Sequence, residues 1–129
     1  MKTLTLLLIL LPGFIFISCN ETKNPEPDIQ FIHTVFFWLN DSVTAEDKAT
    51  FEEGLTELGT VPAILKSLYG IPAGTPREVV DNSYDYALIV YFSDAESQDE
   101  YQVDPVHQEF VEKYNHLWDS VKVYDTILK

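Results

Sequence analysis

Residues 29–39 read IQFIHTVFFWL, and this stretch decides the fold. β-branched and aromatic residues dominate it, which is the composition of a strand. Strand alternation puts Phe31, His33, Val35, Phe37 and Leu39 on one face. Ile32, Phe36 and Trp38 share the other face with Gln30 and Thr34. Both faces are mostly apolar, so the strand needs cover on both sides. One layer of helices supplies half of that cover, and the other half has to come from elsewhere.

Downstream, Asn40-Asp41-Ser42 turns the chain, and Thr44 with Asp47 three residues on is close to a capping box. Phe51, Leu55 and Leu58 then form one helical stripe, and Gly59 fits the C-terminal cap. The pattern predicts a helix over 44–58, with Glu46, Glu52, Glu53 and Glu57 mostly outward. A second strand is expected at 64–71, and a long loop with Pro72, Gly74, Pro76 and Asn82 follows. YDYALIVYF, residues 84–92, reads as a third strand. A short helical stretch follows from Ser93-Asp94 to Tyr101. Asp104-Pro105, a cap followed by a first-turn proline, opens a further helix expected to run to Asp119. VKVYDTIL, 121–128, is the last strand. The order β-α-β-β-α-β is that of an α+β, ferredoxin-like split βαβ unit.

The N-terminal segment reads differently. MKTLTLLLILLPGFIFISC carries Lys2, an aliphatic run from Leu6 to Leu11, and the chain's only cysteine at Cys19. This is the pattern of an export signal. The small Ser18 before a lone Cys resembles the lipobox of bacterial lipoproteins, although Phe16 replaces the usual aliphatic residue. Residues 1–18 are therefore expected to be a signal peptide. Residues 19–28 would be a lipidated Cys19 and polar tether, and 29–129 the single folded domain. The expected location is the bacterial cell envelope, with membrane attachment through the N-terminal lipid only. A plain signal peptide and an uncleaved anchor are the alternatives.

Composition sets further limits. Eight Lys and Arg against 21 Asp and Glu give a net charge of −13, which repels phosphate backbones and speaks against nucleic-acid partners. One Cys excludes an intramolecular disulfide, and three His without Cys at ligand spacing make a weak metal site, so no metal and no cofactor are expected. Phosphate-binding glycine loops and nucleophile-elbow motifs are missing from the sequence.

Two histidines stand out. At about 100° per residue, His107 falls within the apolar arc of Val106, Phe110, Tyr114, Leu117, Trp118 and Val121, while His116 falls on the polar side. His33 lies on the strand face of Phe31, Val35 and Phe37. A neutral imidazole inside an apolar domain needs partners, so each is either a satisfied core residue or a working acid–base group.

HTVFFWLND, FEEGL, VPAILKSLYG, YDYALIVYFSDAESQDEYQVDPVHQEF and VKVYD together resemble the stress-responsive A/B barrel (Dabb) family over residues 31–126. Tyr101, Pro105 and His107 fill its pattern at the start of the last helix. The resemblance implies a homodimer whose protomers pack sheet to sheet into an α/β barrel, which would cover the second apolar face. A plant member of the family is a cofactor-free polyketide cyclase. Its general base and that base's partner would fall here on His107 and Tyr101, with His33 lining the same cavity. Where that cyclase carries a further pocket histidine, this chain has Tyr86. The expected site is thus His107, Tyr101 and His33, with Tyr86, Phe31, Tyr114 and Trp118 along the pocket wall. Three functions fit: binding of a small apolar or aromatic molecule, cofactor-independent cyclase-like or isomerase-like catalysis, or a purely structural dimerisation module.

Overall fold

The computed structural model describes residues 27–129. The expected signal peptide and Cys19 lie outside the described residues. Strand β1 spans Phe31–Leu39, helix α1 Ala45–Leu58, strand β2 Lys66–Gly70 and strand β3 Tyr86–Phe92. Helix α2 spans Ala95–Val103, helix α3 Pro105–Tyr114, and strand β4 Trp118–Ile127 after a 3-10 turn at Asn115–Leu117. The four strands form one antiparallel sheet in the order β2-β3-β1-β4. This is the ferredoxin-like α+β fold that the sequence predicts, with all three helices on one face.

The alternation of β1 sorts as read: Phe31, His33, Val35 and Phe37 are buried and their neighbours half-buried. The buried set faces the helices with Tyr86, Leu88, Val90 and Phe92 of β3, and Phe51, Leu55 and Leu58 of α1 close the core over them. The opposite face stays open. It carries Ile32, Phe36 and Ile89 half-buried, with Leu68 and Tyr124 exposed.

Thr44 and Asp47 form the complete capping box of α1. Gly59 caps that helix with right-handed backbone, so its missing side chain is used for a close approach instead. A Cβ there would sit 3.2 Å from Ser67 Cβ on β2.

Two expectations are corrected. The last helix stops at Tyr114 and not at Asp119, and β4 starts at Trp118 and not at 121. Leu117, Trp118 and Val121 fit a helical stripe by spacing, but Val121 pairs with Phe37 and Trp118 with Leu39 across the sheet. Pairing along the whole of β1 outweighs a local helical pattern. Glu52 is the second correction: expected outward, it is half-buried and accepts the Tyr86 hydroxyl at 2.7 Å.

Candidate functional site

The first turn of α3 and the last turn of α2 are joined by one residue, Asp104. Its N–H donates to the Tyr101 carbonyl, closing α2, and its carboxylate accepts from Val106 N–H, opening α3. Pro105 at the first helical position fixes the turn. This sharp corner brings the Tyr101 and His107 rings to 4.5 Å between centroids. His33 arrives from β1, its ring 6.0 Å from that of Tyr101.

The three residues line one cavity of about 190 Å³ between the sheet and α2–α3. Val35, Phe37, Leu88, Phe110 and Trp118 make most of its wall apolar, and Val111 and Val123 stand at its exposed rim. Of the residues expected along the wall, Trp118 lines the cavity. Phe31, Tyr86 and Tyr114 do not: Phe31 packs edge-on to Phe92, Tyr86 points its hydroxyl at Glu52, and Tyr114 stacks near Phe51 and Phe110.

Each histidine has a partner. His33 Nδ1 and Asp125 Oδ1 are 2.6 Å apart, and the two residues face each other directly across β1 and β4. His107 Nδ1 donates to the Gln102 carbonyl at 3.2 Å. Burial pushes the His107 imidazole below its ordinary value; the Gln102 bond opposes this, and His33 adds a smaller push downward. The start of α3 acts in the same sense, because the positive end of a helix disfavours imidazolium. Burial alone raises the Tyr101 phenol, so it stays protonated and can donate. The site can therefore accept a proton at imidazole and donate a hydrogen bond at Tyr101.

Asp125 and Gln102 were not singled out in the sequence. Asp125 was accessible to strand alternation, since it shares a face with Val121 and Val123, which places it beside β1. Gln102 contributes a backbone carbonyl, for which no residue type gives a signal. Among the described residues no group of three or more His, Cys, Asp or Glu is placed to hold a metal ion. No described helix is long and apolar enough to cross a membrane.

Comparison with known proteins adds the following. The model of the Stress Responsive A/B Barrel Domain matches residues 31–128. A dimeric ferredoxin-like protein of unknown function from Thermobifida fusca aligns at 19% identity and a TM-score of 0.66, over 78% of this chain and 92% of its own. A hydroxynitrile lyase from Passiflora edulis aligns at 16% identity and a TM-score of 0.69, over 80% and 95%. A Dabb family protein with a ferredoxin-like fold from Mesorhizobium loti gives 19% and 0.63, over 78% and 98%. At these identities the three structures speak for the fold. No curated protein matches the chain significantly.

Proposed function

The chain belongs to the stress responsive A/B barrel domain family, and from that premise we propose that it binds a small apolar or aromatic molecule in the cavity between its sheet and α2–α3. One observation carries the reading: His33, Tyr101 and His107, from three different elements, meet on a cavity whose wall is otherwise mostly apolar. An apolar pocket with a few convergent polar groups is the usual form of a small-molecule site. Native mass spectrometry of the purified full chain tests it. A bound mass that disappears in Val111→Trp, which would plug the exposed rim, supports the reading. A protein that is empty, and that gains no thermal stability from a panel of single-ring compounds, rejects it.

The neutral His107 beside Tyr101 favours a second reading, in which the bound molecule is also transformed. His107 would take a proton next to a carbonyl, and Tyr101 would donate to the carbonyl oxygen, without metal or nucleotide. The Passiflora neighbour, named a hydroxynitrile lyase, is an enzyme of the same fold. Turnover lost in His107→Ala with binding retained would separate this reading from simple binding.

The open sheet face supports a homodimer. Phe36, Ile89, Leu68 and Tyr124 leave it largely apolar, with no described helix over it. Of the described chain only the segment before β3, through Ser83 and Tyr84, lies against Phe36 and Trp38, and neighbours of this fold are described as dimeric. Apolar patches beyond a few hundred Å² mark interfaces. The N-terminal segment, with its lone Cys19, supports export and lipid anchoring.

A further inference from the structure

Both cavity histidines are held in one tautomer by partners that can only accept. An Asp carboxylate has no hydrogen to give, so the bond at Asp125 requires the hydrogen on His33 Nδ1. The Gln102 carbonyl requires the same of His107 Nδ1. In a neutral imidazole the remaining nitrogen, Nε2, is then a lone-pair acceptor.

Neither Nε2 atom, nor the Tyr101 hydroxyl, has a hydrogen-bond partner among the described residues. Yet no buried side-chain nitrogen or oxygen among them is left without a partner. His33 and Tyr101 are 5% and 1% exposed, so their free polar atoms reach open space only locally, and the space both residues line is the cavity. His107, half-buried, lines it as well. The polar groups along the lining are thus two imidazole acceptors and the Tyr101 hydroxyl, with the Gln102 amide and the Trp118 indole as further neutral groups and no Lys or Arg among them.

We propose that this cavity takes a neutral, single-ring molecule bearing a hydroxyl, the phenol class, and excludes the carboxylate built on the same ring. The inference rests on the reading of the cavity as a binding site. A phenol O–H donates to a histidine Nε2 while its oxygen accepts from Tyr101. A carboxylate has no hydrogen to offer. It would face two lone pairs, with the Asp125 carboxylate behind His33 and a chain of net charge −13 around it. The donors along the lining, the Tyr101 hydroxyl, the Trp118 indole and the Gln102 amide, are all neutral, and without a cation they would not offset that repulsion. Size sets the single ring: about 190 Å³ is close to the roughly 150 Å³ of an apolar cavity known to hold benzene.

The test uses the full chain at pH 7.5 with phenol, toluene and benzoate as probes in calorimetric titrations. Phenol is expected to bind roughly three- to tenfold tighter than toluene, the factor supplied by one net hydrogen bond. Benzoate is expected to give no measurable binding. Tyr101→Phe should remove most of the advantage of phenol and leave toluene unchanged. Nitrogen NMR of the imidazoles should show hydrogen on Nδ1 and a bare Nε2 at His33, with that Nε2 signal moving when phenol is added. Benzoate binding as tightly as phenol, toluene binding more tightly than phenol, or hydrogen on His33 Nε2 would each overturn the donor–acceptor assignment while leaving the cavity a binding site. Failure of both phenol and toluene to bind would instead reject the binding-site reading, and this inference with it.

Discussion

Gly54 sits in the middle of α1, where alanine is ordinarily the better residue by about 1 kcal/mol. Here the expectation reverses. A Cβ at Gly54 would lie 2.4 Å from Tyr114 Cε2, 2.8 Å from Tyr114 Cζ and 3.1 Å from Phe110 Cδ2. Carbon atoms in good contact are about 3.5–4.0 Å apart, so the Tyr114 ring would have to retreat by about 1 Å. It has little room to do so, being 4% exposed and packed edge-on to Phe51 at 5.7 Å and against Phe110 at 5.1 Å. Overpacking of this kind costs typically 1–3 kcal/mol, and an overlap this deep belongs at the upper end. After the helix-propensity gain is subtracted, Gly54→Ala should destabilise by about 2 kcal/mol. For a domain of this size that lowers the melting temperature by about 8–16 °C. Scanning calorimetry and urea unfolding of the full chain measure it, with the urea slope unchanged. A melting temperature equal to or above that of the parent protein would refute the packing argument. The consequence reaches the site, because Phe110, the third atom set against the new Cβ, also lines the cavity.

Glu52→Ala leaves the buried Tyr86 hydroxyl without its acceptor and should cost about 1–3 kcal/mol, whereas Tyr86→Phe removes both needs and should cost less; urea unfolding of both variants checks the order. The folded state holds the His107 pKa below the ordinary 6.5, so below about pH 6.5 the unfolded chain binds a proton that the folded chain does not. Stability therefore rises with pH up to that point, and His107→Gln should flatten the part of the loss seen between pH 7 and 5 in melting scans. Sedimentation at micromolar concentration should find a dimer, and Phe36→Glu on the open face should shift it to monomer; a parent protein that is already a stable monomer removes the barrel proposal. Cys19→Ser should move the protein from the membrane to the soluble fraction, and an N-terminus without added acyl mass in the parent protein would reject lipidation.

Elements with a strong two-residue period were legible in the sequence. β1 and β3 were placed within two residues, because their alternation and their flanking turns agree. The capping box at Thr44 and the Asp104-Pro105 corner were legible for the same reason: side-chain chemistry there acts over three residues or fewer. The end of α3 was not, since Leu117, Trp118 and Val121 satisfy helical and strand spacing alike, and only pairing with β1 decides between them. The convergence of Tyr101 and His107 follows from that local corner. The place of His33 beside them follows from the sheet order, which no local pattern carries. Glu52 and Asp125 were missed on the same ground. Each is an acid in a chain rich in surface acids, and only a partner distant in sequence marks it as different.

The two acids also explain how an apolar core tolerates this polar cluster. Tyr86 and His33 both lie on the buried face of the sheet, and each meets a carboxylate that is itself partly open to water. A fully buried charge would carry a large desolvation cost, while a partly solvated one keeps most of its hydration and still accepts a hydrogen bond. The arrangement therefore uses up one polar position on each buried ring at small cost. On Tyr86 no hydrogen remains to donate, because the one on its phenol is committed to Glu52, and the ring does not line the cavity. On His33 a second nitrogen remains, and the ring carrying it lines the cavity. The same device thus seats Tyr86 in the core away from the cavity and leaves His33 with a free acceptor on it. This difference, more than burial or aromatic content, is what separates the wall of the site from the rest of the aromatic core.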